Sequence, residues 1–270
     1  MDPAKDSEKA AGIFLDHFGI LPEAPDRETL EMIIDRFSLI PWENLTKFLA
    51  RVSGRPPGLL PRTPATVISQ YASMGTGGTC FSLTEALGAV LSFCGFRCYP
   101  VMADMRHGSN IHCALAVHTG EGERFLADPG YLVPVPVMVR KDVGTELRLP
   151  GQTMVWEPAS EDRCMLFTVE GGERTWRYTM RMRPVGRDEF LSHWMSSFAA
   201  TGMNSLHANL RTGGERISAH NMNLRRTDGL NRTNVKLRDR YAQGIQENFG
   251  IDRRVAAEAE REWRRECRDR

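Results

Sequence analysis

Gly77-Gly78-Thr79-Cys80-Phe81-Ser82-Leu83-Thr84-Glu85-Ala86-Leu87 is the stretch on which the rest of the chain depends. Two glycines close a loop, and a cysteine opens a run with helical spacing: Phe81, Leu83, Leu87, Val90, Leu91. A thiol in the first turn of a helix meets unpaired backbone N–H groups and the positive end of the macrodipole. Both favour the thiolate, the nucleophilic form. The chain before it also reads as helical, from residue 1 to about 95. Ser7 is expected to cap a first helix carrying Ala11, Phe14, Leu15 and Phe18. Asp26 is expected to cap a second with Leu30, Ile33, Ile34 and Phe37, and a short amphipathic helix is expected over 66–71.

From Arg97 onward the period changes to that of strands. Short runs at 99–103, 111–119, 124–128, 134–139, 153–156, 164–170 and 175–182 are separated by turn formers such as Gly120-Glu121-Gly122, Pro150-Gly151 and Gly171-Gly172. Such spacing predicts an antiparallel barrel or sandwich. Pro134 and Pro136 make their run an edge strand. A helix is expected over 187–198, then strands at 206–211 and 216–221 around Thr212-Gly213-Gly214, and a third at 233–237. Helices over 239–248 and from Asp252 onward finish the chain.

The composition narrows the function. At 270 residues, with 41% hydrophobic and 26% charged residues, the chain has ample material for a core. A net charge of +1 and the lack of a basic stripe interleaved with aromatics argue against nucleic acid as a partner. No apolar run is long enough to span a membrane. Met1-Asp2-Pro3-Ala4-Lys5-Asp6 is too polar for a signal peptide, and six cysteines at irregular spacing do not form a secreted disulfide framework. The expected compartment is a reducing cytoplasm.

A thiol nucleophile needs a base, and the base needs an orienting partner. Asn110-Ile111-His112-Cys113-Ala114 and Phe125-Leu126-Ala127-Asp128-Pro129-Gly130 supply them on neighbouring strands. A hairpin through Gly120 and Gly122 would let His112 and Asp128 face each other across the pair. The expected triad is therefore Cys80, His112 and Asp128. Each member also has a bland reading. A cysteine in an apolar pattern is usually a small core residue, which is how Cys94, Cys98, Cys113, Cys164 and Cys267 read. Asp128 before Pro-Gly also suits an Asx turn, and the other six histidines read as loop or surface residues. Cys94, Cys98, His107, His112 and Cys113 are close enough in sequence to raise a metal site. The pattern lacks a second pair with ligand spacing, and His112 and Cys113 point to opposite faces of a strand, so no metal is expected.

At these residues the chain resembles a known family, the arylamine N-acetyltransferases and the related macrolactam-forming amide synthases. The family's Pro-Phe-Glu-Asn-Leu is matched by Pro41-Trp42-Glu43-Asn44-Leu45. Its Arg-Gly-Gly-aromatic-Cys-Phe-Glu is matched by Thr76-Gly77-Gly78-Thr79-Cys80-Phe81-Ser82, its Thr-His strand by Ile111-His112, and its Asp-Val-Gly-Phe-Gly turn by Asp128-Pro129-Gly130-Tyr131-Leu132. The resemblance implies an α+β fold. An N-terminal helical bundle (1–95) would carry the cysteine, a central antiparallel β-barrel (96–186) the histidine and aspartate, and an α/β lid with C-terminal helices (187–270) would follow. It implies ping-pong transfer of an acetyl group from acetyl-CoA, through a Cys80 thioester, to an aromatic amine or hydrazine. Gly108, Ser109 and Gly130 would contact the CoA, and Trp42 and Tyr131 would line the acceptor pocket. Two other readings use the same residues: an amide synthase or thioester hydrolase with another acyl donor, and a non-catalytic binding protein. Four positions depart from the family pattern: Thr76 replaces arginine, Ser82 glutamate, Thr79 a large ring and Leu132 the second glycine of the turn. Without the arginine and the glutamate, Glu43 needs a different partner.

Overall fold

The computed structural model describes every residue except Met1, Pro22, Glu23, Glu121, Leu230 and Arg270, with only the backbone of Thr201. Five helices come first: α1 (Pro3–Phe18), α2 (Arg27–Phe37), α3 (Leu45–Val52), α4 (Pro64–Met74) and α5 (Cys80–Phe93). The first begins earlier than its periodicity suggests. Proline is favoured in a first turn, and the Asp2 carboxylate accepts from the Ala4 N–H at 3.0 Å, so Asp2 is the cap and Ser7 lies inside the helix. Asp26 caps α2 as expected, accepting from the Thr29 N–H at 2.8 Å. Thr63 caps α4, which is longer at both ends than its apolar pattern indicates.

Eight antiparallel strands follow: β2 (Arg97–Met105), β3 (Gly108–His118), β4 (Arg124–Ala127), β5 (Val137–Met138), β6 (Thr145–Leu149), β7 (Gln152–Ser160), β8 (Arg163–Glu170) and β9 (Glu173–Arg181). Their order is β5-β4-β3-β2-β9-β8-β7-β6, which places the proline-bearing run at one edge as expected. Thr145 of β6 donates to the Met138 carbonyl of β5 at 2.8 Å, so the two edges meet and the sheet is a nearly closed barrel. The barrel interior is filled by Val101, Ala114, Ala116, Met154, Trp156, Leu166, Tyr178 and Met180. The alternate residues of β3 and β4, Leu115, Val117, Phe125 and Ala127, pack outward against Leu83, Leu87 and Val90 of α5. That period-two division fixes α5 against the outside of β3.

The C-terminal part holds α6 (Arg187–Ser196), β10 (His207–Arg211), β11 (Arg216–His220), β12 (Asn223–Asp228), β13 (Asn231–Lys236), α7 (Tyr241–Phe249) and α8 (Arg253–Arg268). Here β6 and β12 are strands the sequence did not reveal: Thr145–Leu149 and Asn223–Asp228 are mostly polar, and their place is set by pairing with neighbours. Residues 42–43, inside the stretch that reads as helical, form β1 (Trp42–Glu43), which pairs with β10 and completes the order β1-β10-β11-β12-β13. Leu45 and Phe48 of α3 pack in one core with Leu206, Ile217, Tyr241, Ile245 and Ala256. Chain from before residue 95 is therefore built into both the sheet and the core of the C-terminal part.

Candidate active site

Cys80 is the first residue of α5, immediately after Thr79, which makes no side-chain cap. The loop before it is held by backbone. Glu43 donates its N–H to the Gly78 carbonyl at 3.0 Å, and Trp42 bridges to Gly78. A Cβ on Gly77 would lie 1.7 Å from the Pro41 carbonyl oxygen, so only glycine permits this approach.

His112 lies on the face of β3 that also carries Ala114. Leu115 pairs with Ala127, so Asp128, just beyond β4, stands beside Ala114, and His112 is one step further along the same face. The contact is diagonal rather than directly opposed. His112 Nε2 is 3.0 Å from Asp128 Oδ2, and both side chains are buried. Asp128 accepts on both oxygens: Tyr178 donates to Oδ2 at 2.9 Å, and the Tyr131 N–H donates to Oδ1 at 3.1 Å. Trp156 in turn donates to the Tyr178 oxygen at 3.1 Å. The His112 ring stacks on Tyr178 at 5.0 Å and meets Tyr131 edge-on at 5.1 Å. Orientation and tautomer of the imidazole are thus fixed from three sides. With Nε2 bonded to Asp128, Nδ1 is the nitrogen left for Cys80, whose Sγ donates to the Ile111 carbonyl at 3.9 Å. Gly130 lies against both: a Cβ there would come within 2.7 Å of Cys80 Cβ and of His112 Cε1.

The electrostatics favour an ion pair. The hydrogen bond from Cys113 lowers the Cys80 pKa most, burial opposes it, and the hydrogen bond and charge of His112 and the charge of Lys47 add to the lowering. The thiol is held well below its usual range. For His112, burial works against the imidazolium, but the charge and hydrogen bond of Asp128, with help from Cys80, push the pKa up to about 10. Cys113 is raised well above the ordinary thiol range by burial and by Cys80, so it stays protonated and able to donate. Its single S–H is shared between Cys80 and Thr84 Oγ1, to which it donates at 3.5 Å one turn along α5. Strand alternation sends His112 and Cys113 to opposite faces, yet Cys80, at the start of the helix packed on that strand, meets both. Lys47 is buried in α3, donates to Ser197 Oγ at 2.6 Å and lies over the Phe198 ring. Burial pulls its pKa down to about 8 against the opposing charge of Cys80.

A cavity of about 360 Å³ opens on the thiol. Trp42, Tyr131, Met105, Ile111 and Leu132 supply apolar walls, with Cys80, His112 and Gly130 at the reactive end and Gln152, Arg177, Asn209, Arg211 and Arg216 as polar groups. Trp42, Tyr131 and Gly130, to which the resemblance assigns ligand contacts, all line this cavity. Gly108 and Ser109, at the start of β3, are not among the lining residues. Leu132 adopts a left-handed conformation at φ 52°, which glycine adopts more easily.

The altered loop has its own brace. Arg62 Nη2 lies 3.9 Å from Glu43 Oε1 and donates to the Gly77 carbonyl, while Nη1 donates to Gln70 at 2.7 Å. A Cβ on Gly78 would meet Arg62 Nη2 and Ser82 Cβ, each at 2.8 Å, so Gly78 and the small Ser82 leave room for this guanidinium. Glu43 also accepts from the Thr46 hydroxyl and N–H at 2.6 and 2.9 Å. A cation from a distant loop therefore stands beside Glu43, and Thr76 is fully buried.

Sequence reasoning missed Tyr178, Lys47, Arg62 and the arginines of the cavity, and read Cys113 only as core. Lys47 had a signal, as a lone cation between the buried Leu45 and Phe48. Arg62, between two prolines, had none. Three of the histidines read as loop or surface residues are on strands: His118 ends β3, and His207 and His220 stack at 4.4 Å across β10 and β11, where burial and His220 lower the His207 pKa to about 4. Among the described residues, no group of three or more His, Cys, Asp or Glu side chains could hold a metal ion, and no helix is long and apolar enough to cross a membrane.

No protein-family model and no curated protein matches the sequence. Solved structures do match the fold. An arylamine N-acetyltransferase from Mycobacterium smegmatis superposes with a TM-score of 0.77 at 21% identity, covering 93% of this chain and 97% of its own. The enzyme from Salmonella typhimurium gives 0.75 at 15% identity, over 93% of this chain and 97% of its own. The Mycobacterium marinum enzyme, solved in complex with CoA, gives 0.76 at 16% identity, over 93% and 98%. The chain has the fold of solved arylamine N-acetyltransferases over nearly its whole length.

Proposed function

We propose that the protein is an arylamine N-acetyltransferase-like acyltransferase, with Cys80 as nucleophile, His112 as acid and base, and Asp128 as the group that orients and charges His112. One observation carries this reading: Cys80, the first residue of α5, and His112 flank Gly130 and line one cavity, and His112 Nε2 is held 3.0 Å from the buried Asp128, which Tyr178 also bonds. The CoA bound by the Mycobacterium marinum relative supports acetyl-CoA as the donor. In the first half-reaction the Cys80 thiolate attacks the thioester carbonyl. The C–S bond to CoA breaks, and the departing CoA sulfur takes the proton of the His112 imidazolium. In the second, a neutral amine attacks the Cys80 thioester, His112 takes the amine proton, and the Cys80 thiolate leaves. Aromatic amines and hydrazines suit this scheme because they stay unprotonated at neutral pH. Trp42 and Tyr131 provide the apolar walls for such a ring, and Gly130 lets the turn after Asp128 pack directly against Cys80 and His112. The chemistry needs a reduced thiol, which fits a cytoplasmic setting.

Incubation with acetyl-CoA and an arylamine tests the assignment. Acetylated amine is expected from the parent protein and none from Cys80→Ala, with an acetyl adduct on Cys80 in the absence of acceptor. A Cys80 that forms an adduct only with a different thioester would move the activity to an amide synthase or hydrolase. A Cys80 inert to every thioester would remove the enzymatic reading.

A further inference from the structure

Behind the thiol, on the side away from the cavity, lies a buried ammonium that no carboxylate pairs among the described residues. Lys47 of α3 is only 7% exposed and donates to Ser197 Oγ at 2.6 Å. The Ser197 hydroxyl gives its own proton to the Trp194 carbonyl at 2.5 Å, so towards Lys47 it is an acceptor only. The other partner is the Phe198 ring, whose centre is 4.8 Å from the ammonium. The acids carried by the neighbouring elements are engaged elsewhere. Glu43 accepts from Thr46 and faces Arg62, Glu266 of α8 is held by Arg51 at 2.7 Å, and Glu189 of α6 stands beside Arg183 and His193. Asp128 is taken by His112, Tyr178 and the Tyr131 N–H. An ammonium buried against a hydroxyl and a ring alone is unfavourable. One anion remains. Phe198 packs in a single buried cluster with Cys80 and Cys113, and these two are the titratable groups whose charge reaches Lys47. Cys113 is held protonated, which leaves the Cys80 thiolate. Two cations therefore flank the sulfur, His112 from the cavity and Lys47 from the face of β3 that carries Cys113.

We propose that Lys47 is a positioning residue, the buried counter-ion of the Cys80 thiolate, and that it gives its proton to solvent each time Cys80 is acylated. This rests on reading Cys80 as the acyl-transfer nucleophile. While Cys80 is a thiolate, the ammonium has an opposite charge in the same buried cluster. Acylation forms the bond from sulfur to the acyl carbon and breaks the C–S bond to CoA, and the His112 proton leaves with the CoA thiol. The Cys80 sulfur is then neutral. Burial, which already holds the Lys47 pKa down to about 8, now acts unopposed and favours the free amine. In the second half-reaction the proton of the acceptor amine goes to His112, the thiolate departs, and Lys47 takes a proton back from solvent. The cluster behind the thiol thus keeps its charges paired in both halves of the cycle.

Alkylation reads this coupling without any acyl donor. One equivalent of iodoacetamide turns the Cys80 thiolate into a neutral thioether and releases iodide, a step that by itself frees no proton. The reaction is run in lightly buffered solution with an indicator dye at about pH 7, with Cys80→Ala protein as the blank. Ultraviolet absorbance of the thiolate first establishes that Cys80 is ionised in each variant. Per alkylated Cys80, the parent is expected to release up to about one proton more than Lys47→Met. Lys47→Arg, which keeps the charge but holds its proton, should release as few as Lys47→Met. The midpoint of the thiolate absorbance should lie about one pH unit or more higher in Lys47→Met and stay near the parent value in Lys47→Arg. A side chain that only fills space would move neither quantity. If Lys47→Met does not fold, Lys47→Gln, which still donates to Ser197, makes the same comparison. Equal proton release from the parent and a folded neutral variant, or a thiolate midpoint that does not move, would overturn the proposal. So would a Lys47→Arg protein that releases as many protons as the parent. Failure of acetyl transfer with every thioester would remove the enzymatic reading but leave the proton count readable.

Discussion

The Cys80 pKa is lowered by groups that act through different physics, and they can be separated by mutation. Cys113 donates a hydrogen bond, His112 contributes a hydrogen bond and a charge, and Lys47 a charge, against burial that favours the neutral thiol. Because the Cys80 pKa is depressed, thiolate is present above that lowered value and is lost as pH falls through it. Alkylation by iodoacetamide should therefore remain fast well below the range of an ordinary thiol, and a profile like that of a free cysteine would contradict the assignment. Cys113→Ala removes the largest favourable contribution and should move the acid limb of that profile upward by about one pH unit or more. Cys113→Ser retains a donor and should restore most of the difference. At the other end, His112 loses its proton near pH 10, so acetyl transfer should decline above that pH as the acid for the departing CoA sulfur disappears.

The helix that carries the thiol is placed by close backbone contacts and by one buried charge pair. Gly130→Ala would put a methyl group 2.7 Å from both Cys80 Cβ and His112 Cε1, forcing the pair apart. Acetyl transfer should fall by about 100-fold with the circular dichroism unchanged, since a misplacement of about 1 Å has that effect. Arg62→Met would leave Glu43 fully buried with only Thr46 as partner, at a cost of about 3 kcal/mol, or a melting temperature lower by roughly 10 °C. Adding Glu43→Gln should recover most of that loss, and a double variant no more stable than Arg62→Met alone would count against the brace. These elements also show how much was legible in advance. The α5 start, the strands with alternating apolar residues and the order of Cys80, His112 and Asp128 could be read because each depends on local spacing. Arg62, Tyr178 and Arg211 could not, because each acquires its place only when strands or loops distant in sequence come together. For the same reason β6 and β12 were missed: their residues are polar, and only pairing identifies them as strands.

The three parts inferred along the chain are joined more tightly than their order suggests. β1, from the helical part, is an edge of the C-terminal sheet, and Leu45 and Phe48 of α3 complete the core beneath that sheet. α5 packs on the outside of the barrel through Leu83 and Leu87, while Phe81 stacks on Trp194 and meets Phe190 of α6 at a tilt. Loss of any one part would expose large apolar side chains of another, which favours a single cooperative transition. Tryptophans report on each region: Trp42 in β1, Trp156 and Trp176 in the barrel, Trp194 in α6 and Trp263 in α8. Single-tryptophan variants unfolded in urea should share one midpoint, coincident with the loss of far-ultraviolet circular dichroism. A Trp263 signal that melts first, with Trp156 intact, would mean that the C-terminal part separates on its own. The cavity would then lose Asn209, Arg211 and Arg216 while keeping Cys80, His112 and Asp128. Amine acetylation measured across the same urea series decides the point: it should fall along the one shared transition, because the walls of the site belong to all three parts.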